Sequence, residues 1–564
     1  MTGEASNPAQ HLNLRPPSKV MRLERLGASF PTRLSFMRVL LRRLSAEKAS
    51  VTRPVWQMSE HGFGRAVYSV DLGGHTYSLA AFANDLDPEN RTDRVIAQAW
   101  DAAFVLFDGV PSTADLDRLE ANAPLQELGR FNATELVLCR ANKSVRMFEH
   151  VVDQLANGAQ PDVAMVESVG YLMRTTAVYG NGKFGIADRA RVATRPGLSG
   201  PFATEMLAVW LVRGFTHDLA EHVAKTRSPE KFKPLSKHLK RHLGIGNATG
   251  LGMAPFLVSH PTLLNNWIQS RETALARVLE QAETSTEQIA KALTLIARVS
   301  RHLAQWNVAD SRQGGRVDIL RREWVGISNL VDQQWLANSN MWSRLIALVA
   351  DKSAECQELM AALVLEPNAT LVDDLAANMA SKSRGKFTPG MPLSDFQNLI
   401  ETQFGWACAI DFSQTRQQQQ FWYVSEEKQE PRLGDRYKEA GAELESPLDI
   451  ARRVQDLVAD LDGFDGGATL AEFLVKFPAH RYLARRIQLA EAHPYSELQN
   501  NLIANTCLPV DMLRCKLAFF GASKFDPKSD RWTRITMYQG APLFGEIDQA
   551  NADDWWLPVL EGAT

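Results

Sequence analysis

Apolar and polar residues alternate over 65–82 (RAVYSVDLGGHTYSLAAF) on both sides of Gly73-Gly74. That period of two predicts a pair of strands, and two glycines between such runs predict a tight hairpin. The apolar runs AFVLF at 103–107 and ELVLC at 135–139 extend the expected sheet, with the helical pattern TADLDRLEANAPL between them. Beyond Glu149 the spacing of apolar positions changes to steps of three and four residues. Thr284, three residues before Glu287, predicts a helix start ahead of IAKALTLIARVSRHLAQW. The segments 340–365, 447–461, 467–491 and 496–520 repeat the helical pattern. The expected fold is mainly α with a smaller N-terminal α/β (α+β) portion, a multi-helical, large soluble protein.

The pattern divides the chain as follows. Residues 1–54 are a mobile polar lead-in and a basic amphipathic helix, in which Arg22, Arg25, Arg33, Arg38, Arg42 and Arg43 surround Phe36, Leu40 and Leu44. Residues 55–160 are an α/β unit built on the hairpin, and 161–411 a helical body. The stretch 412–446, with Gln417 to Gln420 and the charged run EEKQEPRLGDRYKEAGAELE, is a polar excursion or linker. Residues 447–564 form a helical C-terminal region whose tail carries Trp532, Trp555 and Trp556. Those rings are expected to dock on the body or on a second copy in a homo-oligomer, because leaving each in water forfeits about 1.5–3 kcal/mol.

Composition adds limits to this picture. With 564 residues, a net charge of -3 and 23% charged residues, the chain has no global attraction for nucleic acid or membrane. Five cysteines without a CxxC pair exclude a disulfide framework and a structural zinc site, which fits a cytoplasmic location. No apolar run approaches the roughly 20 residues that span a bilayer, and the first residues lack the apolar core of a secretory signal.

Candidate chemistry concentrates between Tyr171 and Trp267. Two glycine-rich segments, 179–185 (YGNGKFG) and 244–252 (GIGNATGLG), are expected as loops that present backbone N–H groups to an anion. Arg174, Asn181, Lys183, Arg189, Asn247 and Thr249 lie in or near them and suit a carboxylate or phosphate. Between them, Arg213, His217 and Glu221 follow at four-residue steps on one helix. This predicts His217 as a general acid–base with Glu221 orienting it, and His260 as the second choice.

Several chemistries are excluded on missing residues. No HRD or DFG element, Walker loop, dinucleotide fingerprint or GxSxG elbow is present. The order HDLAEH is neither HExxH nor HxxEH, and Lys237, Lys240 and Arg241 crowd His238 and His242, so no metal ligand is assigned. The expected function is that of a cytosolic enzyme acting on a small anionic metabolite held between the two glycine-rich loops, with reaction type and cofactor unassigned. Two alternatives remain. One is a nucleic-acid-associated or scaffold protein using the arginines of 22–43 and the basic run 225–241; the other is a metal-dependent hydrolase on His217, Glu221 and His222.

Overall fold

Gly73 and Gly74 both take positive φ, 64° and 73°, and turn β2 (Gly64–Leu72) into β3 (His75–Ala83). The two strands pair antiparallel through the whole predicted hairpin, Leu72 against His75 and Arg65 against Phe82. The fold is seen in a computed structural model that describes residues 12–87, 89, 99–123, 132–176, 192–250, 261–380, 386–414, 423–424, 431–432, 446–447, 450–499, 507–529, 532–548 and 553–560. The hairpin continues into β1 (Val51–Met58), β4 (Ala102–Asp108), β5 (Glu135–Lys143), β6 (Tyr171–Thr175) and β7 (Gly244–Gly250). Three two-residue strands, β8 (Tyr423–Val424), β9 (Pro431–Arg432) and β10 (Ser446–Pro447), make a small separate sheet. Finally β11 (Lys524–Pro527) and β12 (Trp532–Met537) join the large one.

The large sheet has nine strands in the order β1-β2-β3-β4-β5-β6-β7-β12-β11. All its pairings are antiparallel except β6 with β7. Parallel neighbours need a long crossover, and this one carries the 25-residue helix Ala203–Arg227. In chain order the helices that matter below are α1 (Phe36–Ala46), α2 (Thr113–Asn122), α3 (Phe148–Ala156), α4 (Ala203–Arg227), α5 (Pro261–Leu279), α6 (Thr286–Gln305), α7 (Ser311–Leu330) and α8 (Ala354–Leu365). A second group is α9 (Leu393–Cys408), α10 (Ile450–Asp462), α11 (Leu470–Lys476) and α12 (Arg481–Ala492). The alternation of the strands supplies two apolar faces. Tyr68, Leu79, Phe104 and Ala141 join the main core with α1 and α4, while Val67, Ala80, Val105 and Leu138 pack under Leu116 and Leu119 of α2.

Helices and sheet are thus both present, but the sheet is not confined to the N-terminal part. Residues 244–250 of the segment expected as the second glycine-rich loop form strand β7, hydrogen-bonded on both sides. The reason is close approach. A Cβ at Gly244 would lie 2.2 Å from the Met537 carbonyl oxygen, and one at Gly246 would lie 2.6 Å from the Tyr171 ring. These glycines make room for neighbouring chain, not for a ligand. The expected helix after Thr284 is α6, although its cap is Ser285, in a reciprocal box with Gln288.

The arginines of the N-terminal segment serve the interior. Two single-turn helices, Pro17–Val20 and Leu23–Leu26, precede α1. Arg33 and Arg38 are buried, and with Arg42 they pair with Glu366, Asp373 and Asp553. Burial would push the Asp553 carboxyl up, yet Arg38, Arg42 and Arg33 together hold it down at about 2. Arg25 pairs with Glu358 of α8. Side chains committed in this way leave little of the basic helix to meet phosphate.

The tryptophan tail also turns inward. Trp555 stacks on Tyr538 with ring centroids 6.0 Å apart, and Trp556 Nε1 donates to the Pro31 carbonyl at 2.8 Å. Both rings are buried against their own chain. The helices α9 to α12 form a core of their own from Phe396, Phe404, Val454, Leu457, Phe473, Leu483 and Ile487. The polar stretch 412–446 therefore falls inside this helical unit, between α9 and α10, which pack in that same core. No helix among the described residues is long and apolar enough to cross a membrane.

Candidate functional site

His217 and Glu221 both project from α4, but the structure gives them different partners. The His217 Nε2 lies 3.2 Å from the Leu243 carbonyl, whereas Glu221 accepts from the Leu235 N–H at 3.0 Å and from Lys240 Nζ at 2.7 Å. The expected acid–base pair is not formed, because one side chain faces the start of β7 and the other the segment 235–240. Arg213 is buried and donates to the carbonyls of Leu243, Ala541 and Pro542, which ties α4 to both. His222 has both ring nitrogens engaged, Nε2 at 2.8 Å from the Ser59 carbonyl and Nδ1 at 3.4 Å from Trp56 Nε1. The hydrolase triad of His217, Glu221 and His222 is accordingly dispersed, and no cluster of three ligating side chains occurs among the described residues.

Arg174 and Asn247 are brought close along the chain of strands and then separated by the pleat. Arg174 stands in register with Gly246, so Asn247, the next residue, points to the opposite face. There Asn247 is buried, its Nδ2 donating to the Thr175 carbonyl at 2.7 Å. Thr249 belongs to the same strand, opposite Thr533. Asn181, Lys183, Arg189 and His260, with the first glycine-rich segment, lie outside the described residues.

The buried imidazole of His217 carries a pH consequence. Burial first, then Arg213 and Lys240, hold its proton affinity well below the ordinary histidine value. The folded site stays neutral while the unfolded chain takes up a proton as pH falls through about 6.5. Stability is therefore complete above that pH and declines below it, by up to about 1.4 kcal/mol per pH unit. Urea titrations between about pH 6.5 and pH 5 should show this slope reduced in His217→Gln; an unchanged slope would assign the effect to other groups.

A concavity lies elsewhere. β3 and β5 run in the same direction in the antiparallel meander, so both end at one edge of the sheet, where the β1–β2 turn also lies. A cavity of about 610 Å³ opens there. Its walls are the turn residues Glu60, His61 and Phe63, then Asp85 and Leu86 after β3, Lys143 to Val145 at the end of β5, Phe148 and Glu149 of α3, and Val223, Thr226 and Arg227 of α4. The turn is pinned to α4. Thr226 Oγ1 donates to the Glu60 carbonyl at 2.8 Å, and Gly62, at φ 78°, approaches Val223 so closely that a Cβ would stand 2.6 Å from its Cγ2.

Lys143 is the buried charge of this cavity. Its backbone N–H is held by Asp101 at 2.9 Å, and its Nζ lies 4.8 Å from the Phe148 ring centroid and 5.8 Å from that of Phe63. Ring faces attract an ammonium and fix its position. The acids are differently placed. Glu149 pairs with Arg227 at 3.2 Å, Glu60, 3.4 Å from His61, is 77% exposed at the mouth, and Asp85 is exposed as well. Water screens an exposed carboxylate far more than it screens a buried ammonium. None of these residues was singled out by spacing, since they come from separate segments. The one local cue is a lysine closing the apolar strand ELVLCRANK.

Comparison with known proteins adds no assignment: no family model, curated protein or solved structure matches this chain.

Proposed function

We propose that the protein binds a small anionic metabolite bearing an apolar part, seated in this cavity with its acid group on Lys143. The observation that carries the reading is the Lys143 ammonium in a cavity wall, 4.8 Å and 5.8 Å from the centroids of two phenyl rings. The volume falls in the range of about 300–1,000 Å³ usual for small-molecule sites, and the walls combine apolar surface with three carboxylates, Glu60, Asp85 and Glu149, and two cations, Lys143 and Arg227. Phe63, Leu86, Val145, Phe148 and Val223 would cover the apolar part, and Lys143 would supply orientation. The anion expected from sequence is thereby kept, with its grip moved from the glycine segments to the end of the sheet.

Thermal melting with a panel of aromatic and branched carboxylates and phosphate monoesters tests this. A ligand at about 100 times its Kd stabilises by about 2.7 kcal/mol, and Lys143→Ala should remove most of that shift. Asn247→Ala, remote from the cavity, should retain it. A full ligand shift in Lys143→Ala would overturn the proposal.

A further inference from the structure

The unit α9 to α12 presents a surface unrelated to the cavity. α10 runs into α11 through a glycine-bearing connection, and α11 is joined to α12 by four residues, Phe477 to His480. Three successive helices, the last two linked by so short a turn, have the connectivity of a helix-turn-helix. The turn is held rigidly. His480 Nε2 lies 2.7 Å from Asp460 of α10, and its ring stacks on Phe473 at 5.9 Å with the planes 10° apart. Phe473 in turn meets Phe464 and Phe477 at 5.4 and 5.0 Å. α12 is also fixed from behind, where Arg486 binds Glu497 through two hydrogen bonds and Gln488 bonds Thr388.

What the first half of α12 leaves outward is basic. Arg481 and Arg485, one turn apart, are exposed beside Tyr482, which is 58% exposed, and Lys476 closes α11 next to them. Leu489 and Ala492 continue the same stripe, and the one exposed carboxylate among the residues of this helix, Glu491, lies off it. The nearby Glu472 is occupied in capping, accepting from the N–H and hydroxyl of Thr469. Leu483 and Ile487 occupy the opposite side in the core.

We propose that α10, α11 and α12 form a DNA-binding helix-turn-helix, with the first half of α12 entering the major groove of duplex DNA. Arg481 and Arg485 would reach base edges or phosphates there, and Lys476 a flanking phosphate. This site owes nothing to the arginines of 22–43, of which Arg25, Arg33, Arg38 and Arg42 are committed to interior ion pairs.

The test is fluorescence anisotropy of the full-length protein on a labelled random-sequence duplex, from about 50 to 200 mM salt. Binding should weaken steeply with salt. The double variant Arg481→Ala/Arg485→Ala should lose more than about tenfold in affinity, with the log–log salt slope reduced by about 2. Both side chains are exposed, so the melting temperature of that variant should match the parent, and Lys143→Ala should bind the duplex normally. No duplex binding at the lower salt, or equal binding by the double variant, would overturn the proposal. So would cross-linking from position 482 that captures protein while duplex DNA fails to compete.

Discussion

Glu358→Gln is expected to destabilise the protein by about 3–5 kcal/mol, the cost of leaving buried charge without its partner. The Glu358 side chain on α8 is fully buried and accepts from Arg15 Nη1 at 2.7 Å, from Arg25 Nη1 at 3.3 Å and from Arg271. The three guanidinium groups then share Glu272 of α5, which already takes two hydrogen bonds from Arg15, at 2.6 and 2.7 Å. Burial, followed by repulsion from Arg15, brings Arg271 down to about 10, so it still carries its charge at neutral pH. Glutamine keeps the shape of the side chain, and the effect is electrostatic rather than a cavity. Denaturant titration checks the value, with Arg43→Ala as a contrast. Arg43 and Glu47 form an exposed pair 2.9 Å apart, and such a pair contributes only about 0.3–0.5 kcal/mol. Similar losses in the two variants would refute the account of the buried network.

Adding one methyl group to β7 is expected to cost at least about 3 kcal/mol, at the upper end of overpacking effects. In Gly244→Ala the new Cβ would stand 2.2 Å from the Met537 carbonyl and 2.8 Å from Thr536 Cγ2. The carbonyl belongs to β12, which pairs with β7 from Ile245 to Gly250, so it cannot retreat without opening the ladder. Gly315→Ala on α7 has the opposite expected sign. Nothing lies within 4 Å of its Cβ position, and alanine in a helix is favoured over glycine by about 0.5–1 kcal/mol. Thermal melts of the two variants should move in opposite directions. A stable Gly244→Ala protein would mean that β7 does not lie between β6 and β12 as described.

The contrast between the two glycines shows what could be read from sequence. Gly73-Gly74 was legible because strict alternation on both sides fixes the turn locally. Gly244 and Gly246 were not. Their neighbours Asn247 and Thr249 read as loop, and only strands from Tyr171 and Met537, distant in sequence, reveal why side chains are missing there. The helix of residues 286–305 was legible through its cap and period, to within one residue at its start. The arginines of α1 were visible as charge, but their acids lie more than 300 residues away, at Glu366 and Asp553. Four-residue spacing placed His217 and Glu221 on one helix face; whether they would meet depended on Leu243 and Lys240, which no local pattern contains.

β7 ends at Gly250, and its second neighbour begins only at Trp532, with α5 to α12 in between. During synthesis the nascent chain therefore carries six consecutive strands and a seventh with one side unpaired while the ribosome makes the intervening helices. An open strand edge is where chains associate wrongly, and glycine offers no bulky side chain to obstruct it. The helices close local contacts quickly, whereas the sheet must wait for a partner from far downstream. The same arrangement that seals β7 in the finished molecule makes it the stretch of the newborn chain most in need of shelter by a chaperone.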